Sequence, residues 1–306
     1  MQHRIEYLAV LIIRQVVLLM PLKSAQRMGR LLGSIAYHLL GSRRRVALDN
    51  LQHAFPEKSI SELLVIAKGA FRNYGISLVE LLWFPNFTDD SLSSFVSVKN
   101  LDVLERASSQ GKGMVLLSGH FGNWEMIVFA IAWKARMPVS IIVQTQNNKL
   151  VDGLINRHRC LRGNRTIPMG MSIREILRTI QQGGVIGIAP DQSGPMEGVF
   201  VNFFGRLVAT HQGPAAFALR TAAPMCMGFT VRKEDGTYEA IVEEIRMDDL
   251  SGSEEEKVIE VTQRHTALLE RYIRMHPDHW LWMHRRWKHT WESVQGENRR
   301  MSNTHD

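Results

Sequence analysis

The stretch "LLSGHFGNWEM" (residues 116–126) decides how this chain reads. An apolar, strand-like run ends in Ser118 and Gly119, His120 follows in what reads as a turn, and Glu125 opens a helix-like segment. α/β proteins keep their chemistry where a strand delivers a polar side chain into a turn before a helix. Ser118, His120 and Glu125 are therefore candidates, provided that the surrounding sequence builds the sheet.

The rhythm of the flanking sequence predicts that sheet. Short apolar runs at 113–119, 138–145, 185–191, 224–233 and 238–245 read as strands, with helical patterns at 123–136, 148–162, 171–182 and 211–222. The last two strands flank "EDG" (234–236), a hairpin signal. Strand–helix alternation implies a mainly parallel sheet covered on both faces. Upstream, 42–55 reads as a basic amphipathic helix stopped by Pro56. Next, 59–84 reads as a long helix with capping-box spacing at Ser59 and Glu62 and a stop at Pro85. A polar link (86–95) precedes the alternating region, and a long polar helix (about 253–275) follows it.

The N-terminus has a different character. "IEYLAVLIIRQVVLLMPL" (5–22) is strongly apolar but carries Glu6 and Arg14, and a mid-helix arginine is costly in a bilayer. No small-residue cleavage site follows, which counts against a removed signal peptide. Residues 23–40 repeat an amphipathic pattern, so the first forty residues read as a membrane-surface anchor, the alternative being a pair of core helices. The expected organisation is an anchor at 1–41, an α/β domain at 42–293 and a polar tail at 294–306.

Composition narrows the function. With 45% hydrophobic and 22% charged residues the 306-residue chain can bury a sizeable core. A net charge of +7 favours an anionic partner: nucleic acid, a phospholipid surface or a phosphorylated substrate. Cys160 and Cys226 form neither a disulfide framework nor a zinc pattern. There is no GxSxG, because Leu116 stands two residues before Ser118, and no GxxxxGK[ST], GxGxxG or HExxH. These absences count against a serine hydrolase elbow, a phosphate-loop NTPase, a dinucleotide enzyme and a thermolysin-like protease.

What remains is His120 and Glu125. If the helix begins near Asn123, Glu125 lies in its first turn and can reach back to the imidazole, fixing its tautomer and strengthening the free nitrogen as a base. Backbone N–H groups near Gly122 and Asn123 would face developing negative charge. Spacing alone favours a turn histidine beside a capping acid, because H-x4-[DE] arises often by chance. Strand 185–191 ends in Asp191 at the same sheet edge, as a second acid or a turn former. "INRHRCLRGNR" (155–165) supplies Arg157, Arg159, Arg162 and Arg165. Arg159 and Arg162, three apart on one helix face, could grip a phosphate or simply be solvated. "WLWMHRRWKHTW" mixes Trp280, Trp282, Trp287 and Trp291 with His284, Arg285, Arg286 and Lys288, a composition suited to a membrane interface or a nucleic acid.

Taken in order, "GHFGNWE" (119–125), "NNKLVDGLINRHRCLRGN" (147–164), "GGVIGIAPDQSGPMEGVFVNFFGR" (183–206), "ATHQGPAAFALRTAAPM" (209–225) and the closing Trp282, His284, Arg285, Arg286 and Trp287 resemble the bacterial lipid A biosynthesis acyltransferases of the lauroyl/myristoyl kind. The third block, "APDQSGP", differs from the "PEGTRS" type of the glycerol-phosphate branch that shares the H-x4-D/E motif. The resemblance implies a glycerolipid-acyltransferase-like α/β fold, with an N-terminal anchor, on the cytoplasmic face of the bacterial inner membrane. It implies transfer of a fatty acyl group from an acyl carrier protein thioester to a hydroxyl of a lipid A precursor. His120 would be the general base and Glu125 its orienting carboxylate. Asn123, Arg159, Arg162, Asp191, Arg285 and Arg286 would contact substrate. No cofactor or metal is implied beyond the thioester co-substrate, and the apolar N-terminus argues against nucleic acid. An acyltransferase with another lipid acceptor, and a non-catalytic protein of anionic membranes, remain open alternatives.

Overall fold

A computed structural model describes residues 2–170 and 173–295. Four helices lead the chain: α1 (Gln2–Leu19), α2 (Leu22–Leu39), α3 (Gly41–Ala54) and α4 (Ile60–Trp83). The Ser59/Glu62 capping box opens α4 as the sequence predicts. The polar link holds a further short helix, α5 (Asp89–Phe95), capped by Thr88. Then come β1 (Val96–Lys99), α6 (Leu101–Ser109), β2 (Met114–Ser118), α7 (Trp124–Lys134), β3 (Val139–Val143), α8 (Lys149–Arg159) and β4 (Arg165–Pro168). The chain continues through α9 (Ile173–Gln181), β5 (Val185–Ile188), β6 (Val199–Phe203), β7 (Arg206–Thr210), α10 (Gly213–Thr221), β8 (Met225–Arg232), β9 (Tyr238–Ile245) and α11 (Glu254–Met275). Residues 171–172 of the expected helix 171–182, and the expected tail from 296 onward, lie outside the described residues.

Seven strands form one sheet in the order β1-β9-β8-β2-β5-β3-β4. Every neighbouring pair is parallel except the β8–β9 hairpin, and β6–β7 make a separate antiparallel pair. The mainly parallel α/β reading is therefore right, and the sheet has two more strands, β1 and β4, than the sequence pattern suggested. Side-chain alternation divides the interior in two. Val115, Leu117, Ile186, Met225 and Met227 pack into one core with residues of α3, α4, α9, α10 and α11. Met114, Leu116, Val185 and Cys226 face the other, with α5, α6 and α7. The chain leaves β2 toward β3 on one side and returns to β8 on the other, so the carboxyl ends of β2 and β5 lie at a switch in strand order, where such sheets form crevices.

The first two helices are not loosely attached. Gly29 and Gly33 of α2 lie so close to α4 that a Cβ on Gly33 would overlap the Phe71 carbonyl. Outward, both helices leave large apolar side chains exposed, among them Ile12 and Leu19 of α1 and Leu31 and Leu39 of α2. Among the described residues no helix is long and apolar enough to cross a membrane.

A buried carboxylate ties these helices to the sheet. Glu80 of α4 accepts hydrogen bonds from Gln26 of α2 (2.7 Å), Asn123 before α7 (2.7 Å) and Tyr238 of β9 (2.6 Å), and pairs with Arg232 of β8 (3.3 Å). Removing one member of a buried ion pair leaves its partner uncompensated, at a cost of about 3–5 kcal/mol. Glu80→Leu should lower unfolding stability by about that amount in urea titration, since Arg232 keeps only neutral acceptors on Asn73 and Ser77. A loss below about 1 kcal/mol would show that the pair is dispensable.

Candidate active site

His120 stands just past the end of β2, in a turn that only glycine permits. Gly122 has φ +57°, and a Cβ there would overlap the Thr230 carbonyl oxygen. Ser118 is buried and donates to the Gly228 carbonyl (3.0 Å), so it is tied into the sheet end. The C-terminal segment clamps the turn from outside: Leu281 N–H donates to the His120 carbonyl (3.0 Å) and Gly122 N–H to the His279 carbonyl (2.8 Å).

The carboxylate on His120 is Asp191, not Glu125. Asp191 follows β5, the parallel neighbour of β2, and its Oδ1 lies 2.7 Å from His120 Nδ1. Asp191 Oδ2 accepts the His120 backbone N–H (2.7 Å) and Trp280 Nε1–H (2.8 Å). The Asp191 side chain is 2% exposed and that of His120 is 21% exposed, so the acid is sealed while the ring reaches solvent. Burial pushes the Asp191 pKa up, but the His120 charge and these hydrogen bonds outweigh it and bring it to about 2. For His120, burial opposes the imidazolium, yet the charge and hydrogen bond of Asp191 hold its pKa above the ordinary 6.5. With Asp191 ionised, Nδ1 carries the proton and Nε2 the lone pair.

Glu125 turns the other way. It begins α7, and its Oε1 and Oε2 accept Arg159 Nε at 3.0 Å each, while Oε1 also accepts Nη2 at 2.6 Å. Trp124 bridges the two groups: its Nε1–H donates to Glu125 (3.2 Å), and its ring centre lies 5.1 Å from that of His120. The Glu125–Arg159 pair thus flanks His120, and both charges act on its titration without bonding to it.

Several other expectations change. Asn123 is fully buried, capping α7 through Met126 N–H (3.0 Å) while bonding Glu80, so it is closed to substrate. The N–H groups of Gly122 and Asn123 are taken by His279 and Thr230, which leaves those of Trp124 and Glu125 free among the described residues. Arg162 does not share a helix face with Arg159: α8 ends at Arg159, and Arg162, at φ +61°, pairs with Asp89 (2.6 Å) and the Phe87 carbonyl (3.0 Å). Arg286 is 1% exposed and donates to the Ala209 carbonyl (2.8 Å) and Thr210 (2.6 Å). Burial draws its pKa down to about 10 even though the Asp191 charge opposes this, and it cannot reach a ligand at the surface. Arg285 is exposed. Trp280 and Trp282 are core residues, with Trp291 left exposed. The tryptophan on Asp191 is the site residue that sequence reasoning misassigned; the alternation in "HWLWM", burying positions 280 and 282, was the signal for an extended, half-buried strap.

This geometry fixes the pH response. The lowered pKa of Asp191 contributes stability that is present above its ordinary 3.8 and lost as pH falls toward 2. The raised pKa of His120 contributes stability that is present below 6.5 and lost as pH climbs through the folded-state value. In Asp191→Asn the acid limb of the stability curve should flatten, and the His120 resonance should titrate below 6.5, since burial then acts without the carboxylate. An unchanged His120 titration by NMR would refute the pairing.

The profile of the family "Bacterial lipid A biosynthesis acyltransferase" matches residues 1–289. The chain is similar to the lipid A biosynthesis palmitoleoyltransferase of Escherichia coli (strain K12), 27% identical over 85% of this chain and 84% of the relative. It is 26% identical to the lauroyltransferase of that organism, over 90% of this chain and 89% of the relative. Against its myristoyltransferase the figures are 23% identity, 82% and 77%. A match that runs from the first helix to the C-terminal strap places the chain in the bacterial lipid A biosynthesis acyltransferase family, and it is an acyltransferase.

Proposed function

We propose that the chain moves a fatty acyl group from an acyl carrier protein thioester to a hydroxyl of a Kdo-bearing lipid A precursor, with His120 as general base. The observation that carries this reading is the buried Asp191 carboxylate on His120 Nδ1 at 2.7 Å, behind a ring that is open to solvent. Nε2 takes the acceptor hydroxyl proton as that oxygen attacks the thioester carbonyl. The tetrahedral intermediate then collapses, the C–S bond breaks, and the departing thiolate receives the proton from His120. Asp191 stabilises the transient imidazolium and keeps its own negative charge, a role consistent with a pKa of about 2. The oxyanion is stabilised by the free N–H groups at the start of α7 and by Arg159, held in place by Glu125.

An amphiphilic acceptor suits a protein that sits on a bilayer. The outward apolar side chains of α1 and α2 support binding at the cytoplasmic surface of the bacterial inner membrane, with the apolar rows in the interface and the basic residues at headgroup level.

The test is acyl transfer from a panel of acyl carrier protein thioesters to a tetra-acylated, Kdo-bearing precursor in micelles. General-base catalysis contributes about 10²–10⁴-fold, so His120→Ala should lose at least about a hundredfold in rate. The acid limb of kcat/KM should lie above pH 6.5 in the native chain. Asp191→Asn should move that limb to lower pH, whereas Glu125→Gln should move it less and mainly lower the plateau. Equal rates with and without His120 would remove it as base; no transfer by the native chain would remove the acceptor.

A further inference from the structure

The basic run 157–165 is dispersed by folding. Arg159 goes to Glu125, Arg162 to Asp89, and Arg165 to Ser140 and Thr179. Arg157 is exposed and has no hydrogen-bond partner among the described residues. It stands at the rim of a cleft where α1 crosses α8. Asn148 fixes one end of that crossing by bonding the His3 carbonyl (2.8 Å) and Glu6 (2.9 Å). At the other end Arg14 Nε donates to His158 Nε2 (3.3 Å), while His158 Nδ1–H is taken by the Leu154 carbonyl (2.8 Å). Arg14 therefore keeps both terminal nitrogens free and has no acidic partner among the described residues.

The cleft between these points has a volume of about 350 Å³ and is open on one side. Leu11, Pro85, Leu154 and Leu161 line it together with Arg14, Arg157 and His158. Both guanidiniums are close enough to His158 to add to the effect of burial in holding its pKa low, so this imidazole stays neutral and accepts from Arg14. Two guanidiniums without an acidic partner among the described residues, sharing a cleft with apolar side chains, are complementary to a phosphate joined to a hydrocarbon chain. The cleft is continuous with α1, whose remaining face is the exposed apolar one.

We propose that this cleft binds a single anionic glycerophospholipid of the bilayer, with its phosphate on Arg14 and Arg157 and an acyl chain over Leu11, Leu154 and Leu161. The lining of the cleft shares no residue with the His120–Asp191 pair, and an occupied cleft seats the enzyme at a defined depth and orientation. It rests on the membrane reading proposed above.

Vesicle flotation of the full chain tests it, with phosphatidylcholine alone and phosphatidylcholine carrying a minority of phosphatidylglycerol. The Arg14→Gln/Arg157→Gln double variant should lose at least about tenfold in affinity for the mixed vesicles, because each arginine at an anionic surface is worth about fivefold. A charge-matched control, Arg178→Gln/Arg206→Gln, should stay within about twofold, since screening removes distant charges. In calorimetry, dihexanoylphosphatidylglycerol below its micelle concentration should bind the native chain and not the Arg14/Arg157 variant. Arg157→Gln alone, at an exposed and unbonded side chain, keeps the test valid should the double variant fold poorly. Equal losses in both double variants would mean diffuse attraction only and overturn the site. So would inorganic phosphate binding as tightly as the short-chain lipid. If the native chain floats with neither vesicle, the membrane reading fails, and the calorimetry alone then decides the cleft.

Discussion

The site depends on one constraint: a carboxylate sealed from water must be fully satisfied. An unpaired buried charge costs several kcal/mol, roughly a large part of a domain's net stability. Asp191 meets the requirement with three donors drawn from distant parts of the chain: the His120 amide, the His120 ring and the Trp280 indole. Those donors converge only if β5 lies beside β2 in register and the C-terminal strap crosses the turn after β2. Sheet topology, strap and the His120–Asp191 pair are thus one structural solution. The same bonds that make Asp191 tolerable inside the protein orient the imidazole toward solvent.

A second sealed carboxylate follows the same rule to a different end. Glu80 is surrounded by Gln26, Asn123, Tyr238 and the Arg232 guanidinium, and nothing reactive faces it. It nevertheless bears on the site, because Asn123 caps α7 with one end of its amide while bonding Glu80 with the other. The start of α7, where Trp124 and Glu125 stand, is in this way referenced to α4 and α2. Helices that the sequence marks as an anchor are therefore part of the platform that positions the turn bearing His120.

Strand–helix rhythm made the sheet legible because buried parallel strands are short apolar runs with few other readings. The strands that escaped are the edge pieces β1 and β4, and β6 and β7 of the small hairpin, each only 4 or 5 residues long with polar positions mixed in. At the site, His120 and Asp191 were legible singly as strand-end residues, but their pairing was not. The five-residue spacing to Glu125 pointed to a local partner, whereas the true partner comes from an adjacent strand 71 positions away. Spacing describes proximity along the chain, and a parallel sheet makes its contacts across it. Arg162 shows the converse: a left-handed residue just past α8 broke the helical face that periodicity assumed.

The same lesson applies to charge. A net +7 suggests a basic surface, yet Arg232 and Arg286 lie inside the protein, and Arg159 and Arg162 are neutralised by acids on neighbouring elements. Guanidinium suits such interior work, because it stays charged under strong desolvation and its planar fork satisfies several acceptors at once. A basic cluster read from sequence therefore overstates the cations left for a partner. What remains after folding is smaller and more localised, and it lies beside the apolar face of α1. An attractive field spread over the whole surface would bind any polyanion in any orientation. A few free arginines beside an apolar helix are instead complementary to an amphiphile presented from one side.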